Sequence, residues 1–368
     1  MKKGTQHYPL RWLLAASVFL LTSLPHRTAA EATKEDQRNQ AITITTWNIE
    51  HLGTSGRGFG GGYGGFGKAA IPERGYELSL RSDTDLANIA RLIQDEIGSD
   101  VLALQELGIT SRYRNKSNCA PLTKIVSNLN NEAGDWSYYI PPVEETPTKD
   151  SEDNTHLGFM WNKDRVRLLN AFEMGLPRIE MAGKALFERA PLVGYFETIR
   201  DDGKPGNDFA LVNVHFGSGQ DNDENHLIAM TLIEYELASS LSKHAITESD
   251  IIILGDFNDN PTAKSKDGSR RYSPAMYEHM KFKGYTNLVT NDLQTSRLNK
   301  GLDSLIDHIF VNKSIRKDVP QDKADLYRPY SFKAKPGLWA AWRQSYSDHL
   351  PISIKLLRDR DTDTDFFE

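Results

Sequence analysis

Carboxylates, imidazoles and side-chain amides recur in this 368-residue chain at one kind of place, the end of a short apolar run. Ala41-Ile42-Thr43-Ile44-Thr45 leads into Trp47-Asn48-Ile49-Glu50, and Val101-Leu102-Ala103-Leu104 into Gln105-Glu106. Phe209-Ala210-Leu211-Val212 leads into Asn213-Val214-His215, and Ile251-Ile252-Ile253-Leu254 into Gly255-Asp256-Phe257-Asn258. Ile306-Asp307-His308 and Ser347-Asp348-His349 complete the set. An unpaired charge at the rim of an apolar core is costly, so strands ending this way are expected to use what they carry. Ligands collect at one set of strand ends because loops converge there without disturbing the core. A single site is expected.

The residue types indicate its chemistry. Glu106 and Asp348 are hard oxygen donors suited to Mg²⁺, while Asn48, Asn258 and His215 can hydrogen-bond a phosphoryl oxygen without adding negative charge. That mix favours phosphoryl chemistry. A structural zinc would want several Cys or His together, and the only cysteine, Cys119, reads as part of a polar loop with no ligand spacing around it. Taken singly, Asn48 could cap a loop, Asp307 could be an ion-pair partner and Asp348 the N-cap of a turn. The whole set in one chain is what those readings do not explain. Glu50 and His51, beside the first motif, either approach a metal or lie in a solvated loop. His308 alternates to the opposite strand face from Asp307 and reads as packing.

The order of these motifs resembles the endonuclease/exonuclease/phosphatase superfamily, which includes pancreatic-type deoxyribonuclease, abasic-site endonucleases, bacterial sphingomyelinases and inositol polyphosphate phosphatases. The resemblance covers roughly residues 41 to 356. It implies that Glu106 is the principal Mg²⁺ ligand, with Asn48 and Asp348 near it, and that Mn²⁺ or Ca²⁺ could serve in its place. It implies that Asp256 and Asn258 orient the attacking water and the scissile phosphate. By the same resemblance His349, paired with Asp307, is the main general acid/base, and His215 adds a hydrogen bond to the phosphate. In the deoxyribonuclease branch a further acid partners the first histidine; the segment Thr155-His156-Leu157-Gly158 offers none in register, and Glu152 and Asp153 lie just upstream. Arg189 resembles a family position that either contacts phosphate or forms a structural ion pair.

The hydrophobic fraction is 39% and the motifs use nearly the whole chain, so one catalytic domain is expected over residues 41–358, after a short linker at 31–40. Residues 1–30 have a basic start, an apolar run from Trp12 to Leu24 and the small-residue end Thr28-Ala29-Ala30. That is the pattern of a cleaved secretory signal, so the protein is expected to be exported, periplasmic or secreted, with no transmembrane anchor left. Loss of that segment removes Lys2, Lys3, Arg11 and Arg27 and takes the net charge from −6 to −10. A polyanionic partner then depends on local field. Two basic clusters supply one: Arg112-Tyr113-Arg114-Asn115-Lys116 after Glu106, and Lys264 to Tyr272 after Asn258. Arg112 and Arg114 could hold a nucleic-acid backbone, and a solvated loop is the alternative.

Leu86, Ile89, Ala90, Ile93 and Ile97 form one stripe at helical spacing, ending near Gly98; Met230, Ile233, Leu237 and Leu241 form another. Such helices alternating with strands suit the fold that the resemblance implies, a four-layer α/β sandwich of two mixed β-sheets face to face with helices outside. Residues 56–67 are glycine-rich, either an aromatic-studded flap or a tolerated insertion, and residues 359–368 form an acidic tail. The function expected is a Mg²⁺-dependent nuclease acting on DNA or RNA, with no stable protein partner indicated. A sphingomyelinase-like or small-molecule phosphatase is the alternative; a membrane-contacting hairpin for it would have to lie around Pro336 to Trp342. A catalytically dead binding protein would normally have lost Glu106, Asp256 or His349, and all three are present.

Overall fold

The structure, a computed structural model, describes residues 40–52, 81–108, 111–113, 116–142, 155–176, 180–181, 184–187, 189–217, 223–260, 274–290, 296–297, 304–328, 342–343 and 345–359. The expected signal, nearly all of the linker, the glycine-rich loop, Glu152, Asp153, Arg114, the Lys264 to Tyr272 cluster and most of the acidic tail lie outside these residues.

In chain order the strands and helices are β1 (Ala41–Leu52), α1 (Asp83–Arg91), β2 (Val101–Gly108), the short β3 (Ser111–Tyr113) and β4 (Lys116–Asn118), α2 (Ala120–Ala133), β5 (Trp136–Tyr139), β6 (Thr155–Asn162) and β7 (Val166–Glu173). There follow the two-residue β8 (Glu180–Met181) and β9 (Lys184–Ala185), then β10 (Leu192–Ile199), β11 (Pro205–His215), α3 (Asp223–Lys243) and β12 (Ile251–Asp256). The last are α4 (Ala275–Phe282), β13 (Thr286–Asn287), β14 (Asp307–Val311), β15 (Asp325–Leu326) and β16 (Ile352–Leu357). Two six-stranded sheets result, ordered β15-β16-β1-β2-β6-β5 and β13-β14-β12-β11-β10-β7. Each is mixed: β1 runs parallel to β2 and β11 parallel to β12, while their other partners are antiparallel.

Period-2 alternation explains the layers. Ile42, Ile44, Val101, Ala103, Phe159, Phe196, Phe209, Leu211, Ile252, Leu254 and Ile309 face inward and form the core between the sheets. The intervening Trp47, Ile49, Leu102, Leu104 and Met160 pack outward with Leu86, Ile89, Leu122, Ile125 and Leu129 of α1 and α2. On the other side Val193, Ala210, Val212, Val214, Ile251 and Ile253 pack with Met230, Ile233, Leu237, Met276 and Met280 of α3 and α4. This is the four-layer α/β sandwich.

Both expected helices form. Ser82 caps α1 in a reciprocal box with Asp85, and the helix widens into a π-helical turn over Leu92–Ile97 before Gly98 ends it at φ 67°. Cys119 departs from expectation: it is fully buried directly before α2, in the core under β1, and its Sγ donates to Leu52 O at 3.4 Å. Burial pushes its thiol up to about 11, so it behaves as a small apolar side chain. Among the described residues no helix is long and apolar enough to cross a membrane.

Gly255 permits the closest approach between neighbouring strands near the site. Its φ is 148°, and a Cβ there would stand 2.0 Å from Val214 O, opposite it on the parallel partner strand. Gly255→Ala is expected to cost about 3 kcal/mol, from overpacking and an unfavourable φ together. A urea midpoint unchanged from the parent would refute that constraint.

Candidate active site

The alternation that builds the inner core also fills its open end. Beyond the last apolar residues, the inward rows continue as Thr46 and Asn48 in β1, Gln105 in β2, Asn213 and His215 in β11, Asp256 in β12 and Asp307 at the start of β14. All of these are buried. Two of them lock the sheets together: Gln105 Nε2 donates to Asn213 Oδ1 at 2.7 Å, and Asn213 Nδ2 donates to the carbonyls of Leu104 and Gly158 at 3.0 and 3.1 Å. His308 points the other way, bonded to Tyr277 Oη, Asn287 and Asp259 O. Burial lowers its proton affinity, in keeping with a packing role.

Glu106 would face outward by strict alternation. Instead the register of β2 shifts against β1 between Asn48 and Leu52 and against β6 between Leu104 and Leu107, and Glu106 takes φ 61°. Such irregularities re-aim a side chain. Glu50, His51 and Asn258 also hold positive φ (45°, 50° and 49°), so, among the described residues, four of the five non-glycine residues in that region of backbone space cluster at this mouth. Strain concentrated in this way is typical of functional sites.

His349 Nδ1 and Asp307 Oδ2 lie 2.8 Å apart, both buried. The ring's Nε2 looks toward Asp256 Oδ2 at 3.7 Å and Asp348 Oδ1 at 3.8 Å. Burial works against an imidazolium here, but Asp307, Asp348 and Asp256 outweigh it and raise His349 to about 10. Asp256 is shifted upward by burial and by Asp307, against the pull of His349 and His215. His215 Nε2 lies 3.7 Å from Asp256 Oδ2 and 3.9 Å from Glu106 Oε1. Asn258 is anchored by its own N–H to Asp256 Oδ1 and by Nδ2 to Phe216 O.

Asn48 bridges the sheets: its Nδ2 donates to Glu106 Oε1 at 2.8 Å and to Asp256 Oδ2 at 3.1 Å, and its Oδ1 accepts Glu50 N–H. His51 donates its backbone N–H to Glu106 Oε2 at 3.2 Å and brings its ring to 3.4 Å. Burial disfavours the Glu106 carboxylate, yet His51, His215 and Asn48 bring its proton affinity below the ordinary value. Glu50 and His51 thus belong to the site and not to a solvated loop.

Three cations that no sequence motif marks complete the site. Arg297 Nε donates to Asp348 Oδ2 at 3.1 Å, and Arg343 Nε to Glu50 Oε1 at 2.7 Å. Arg81 holds the carbonyls of Ile49, Glu50 and Tyr346. Against the effect of burial, Arg297, His349 and Arg343 bring Asp348 down to about 2. None of these arginines sits in a motif, and only tertiary packing brings them in. Arg189 bonds Thr155 through its carbonyl and, at 2.6 Å, its hydroxyl, which ties it to the start of β6. Arg112 lies on β3 with its side chain outside the described residues, as does all of Arg114.

The donor set fits a hard divalent cation. Oxygens dominate, and Glu106 stays ionised. Asp256, Asp307 and His349 also bring one ligand atom each within 4.8 Å of one another. Among the described residues, Asp307 Oδ1 is buried without a hydrogen-bond partner.

The fold agrees with the comparisons to known proteins. The chain belongs to the endonuclease/exonuclease/phosphatase family, whose profile matches residues 45–349. That family is divalent-metal dependent. Endonuclease/exonuclease/phosphatase family domain-containing protein 1 of Homo sapiens is 24% identical over 270 residues, covering 71% of this chain and 44% of the human protein. The chain thus spans less than half the length of the curated relatives it matches. Among solved structures, an endonuclease/exonuclease/phosphatase from Beutenbergia cavernae superposes with TM-score 0.51 at 13% identity, covering 87% of this chain and 72% of that one. A functionally unknown conserved protein from Enterococcus faecalis gives TM-score 0.50 at 14% identity, over 85% and 98% of the two chains. At such identities the likeness is one of fold.

His349 offers a direct check. A raised proton affinity favours the folded state below the ordinary value of 6.5, and that stabilisation is lost as pH rises through about 10. In metal-free protein, NMR of the imidazole should show a protonated ring at about pH 8, and Asp307→Asn should move the midpoint down. A neutral ring at that pH in the parent would contradict the charge arrangement.

Proposed function

We propose that this chain is an exported Mg²⁺-dependent nuclease that cleaves phosphodiester bonds of DNA or RNA by metal-assisted attack of water. The observation that carries the reading is the 2.8 Å Asp307–His349 pair with the free edge of the ring turned to Asp256, in the same mouth as Glu106. Asp256, the carboxylate of Glu106 and the amides of Asn48 and Asn258 lie in the same mouth. Export is supported by the basic, apolar and small-residue pattern of residues 1–30. A nucleic-acid substrate is supported by the family and by the basic clusters that follow Glu106 and Asn258 in the sequence.

Glu106 would hold the cation, with Asn48 and Asp348 beside it, and a bound divalent ion supplies polarisation of a phosphoryl oxygen and charge relief for the leaving group. Asp307 fixes the His349 tautomer, leaving Nε2–H to donate to the phosphoryl group or leaving oxygen. Asp256, raised in proton affinity and within reach of two imidazoles, orients the water and takes up its proton. Asn258, pinned by Asp256 and Phe216, holds the scissile phosphate, and His215 adds a donor at Nε2.

A lipid or small-phosphate hydrolase would use the same residues. A membrane-contacting hairpin around Pro336 to Trp342 finds no support at its one described residue: Trp342 is buried and stacked on Tyr346 at 4.2 Å.

Mature protein is expected to cleave plasmid DNA or structured RNA in Mg²⁺, to stop in EDTA, and to leave sphingomyelin and a phosphomonoester intact. His349→Ala and Asp256→Ala should each slow the rate by about 10²- to 10⁴-fold with cooperative unfolding retained. Near-parental turnover in both variants would sink the site assignment. Turnover of the lipid or phosphomonoester with nucleic acid intact would move the substrate and keep the site.

A further inference from the structure

Helix α3 carries a buried histidine that the reaction does not touch. His226 and Asp259 are 1% and 0% exposed, and the ring's Nδ1 stands 3.5 Å from Asp259 Oδ2. Its Nε2 stands 3.0 Å from Gly217 O. A carbonyl oxygen only accepts, so Nε2 carries a hydrogen and donates it, and Nδ1 is left facing the carboxylate. Among the described residues Nδ1 and both Asp259 carboxylate oxygens have no hydrogen bond, and His226 is the only ion-pair partner of Asp259. Phe216 stacks on the ring with 5.8 Å between centroids.

Gly217 and Asp259 belong to two different segments of the mouth. β11 and β12 pair in parallel as far as His215 and Asp256, where the ladder ends. Beyond it Phe216 N–H donates to Asp256 O at 3.0 Å, and Asn258 Nδ2 donates to Phe216 O at 2.8 Å. His226 supplies the next link outward, with one ring nitrogen turned to each segment. Asp259 is gripped through its backbone as well, since its carbonyl accepts from Tyr277 Oη at 3.1 Å and from His308 Nε2 at 3.0 Å. A buried carboxylate without a partner is costly, and Asn258, directly before this one, holds φ 49°. Such a strained turn persists only where its surroundings over-determine it.

We propose that His226 is a positioning residue, a staple from α3 that sets the spacing between the segments bearing His215 and Asn258. The inference rests on the reading of those two side chains as phosphate contacts. An imidazole suits the role because one rigid ring reaches two segments at once, and the carboxylate at Nδ1 fixes which edge meets Gly217. Misplacing a reacting or orienting group by about 1 Å can cost about 10²-fold in rate. His226 thus acts through geometry and touches no substrate.

The test separates spacing from stability. The full chain, His226→Leu, His226→Leu/Asp259→Ala and Asp259→Asn are compared by thermal unfolding, by kcat and KM in Mg²⁺ on plasmid DNA or structured RNA, whichever the parent cleaves, and by hydrogen–deuterium exchange in EDTA of peptides over residues 211–217 and 254–260. His226→Leu strands the Asp259 charge and should lower both the unfolding temperature and kcat, the latter by about 10- to 100-fold with KM little changed. The double variant removes that charge at nearly constant side-chain volume, so it should unfold near the parental temperature while kcat stays low and both peptides lose protection. Asp259→Asn should stay close to the parent in every measurement, because its amide can donate to Nδ1 of a neutral ring that still donates to Gly217 O. Parental exchange or parental kcat in the double variant overturns the staple, as does an Asp259→Asn variant as impaired as His226→Leu. If the parent cleaves no nucleic acid, the functional reading falls and exchange alone decides: lost protection in the double variant sustains the staple, and parental protection overturns it.

Discussion

Repulsion among buried carboxylates is the constraint on which this site depends. Glu50, Glu106, Asp256, Asp307 and Asp348 share one mouth between two sheets, and each is at least mostly withdrawn from solvent. Uncompensated, such a group of charges would hold the sheets apart. What surrounds them meets that cost: imidazoles at Asp256, Asp307 and Glu106, guanidiniums at Glu50 and Asp348, and amides where a hydrogen bond suffices. Asn48 spans the gap itself, donating to Glu106 on its own sheet and Asp256 on the other.

The same constraint divides the mouth in two. On one side three carboxylates raise the proton affinity of His349, while burial and Asp307 raise that of Asp256, so the two groups differ in their hold on a proton. Pairs separated in this way can act as acid and base at one pH. On the other side the arginines keep Asp348 strongly ionised. Glu106 has, among the described residues, amide and imidazole partners.

Backbone geometry serves this division. Regular alternation brings Asn48, Asn213, His215, Asp256 and Asp307 inward at no conformational cost. Glu106, Glu50, His51 and Asn258 join them only by adopting positive φ. The Gln105–Asn213 lock between the sheets, set directly beneath, keeps that strained rim over a fixed floor.

Much of this was legible in the chain itself. Apolar runs of period two and stripes of period 3.6 are local signals, and they specify the strands, α1 and α3, because each must bury one face; the four-layer arrangement was implied by the family resemblance. The motifs at the strand ends marked the site for the same reason: polar residues continuing an inward row can only be at the core's open end. Local sequence did not reveal that Cys119 is core, that Glu50 and His51 turn into the site, or that Arg81, Arg297 and Arg343 neutralise it. Those outcomes depend on register shifts and on segments some three hundred residues apart meeting in space, as Glu50 and Arg343 do. A residue's own neighbours in the chain determine its conformational preference and the face it takes, whereas the partner that balances a buried charge is chosen by the packing of the whole.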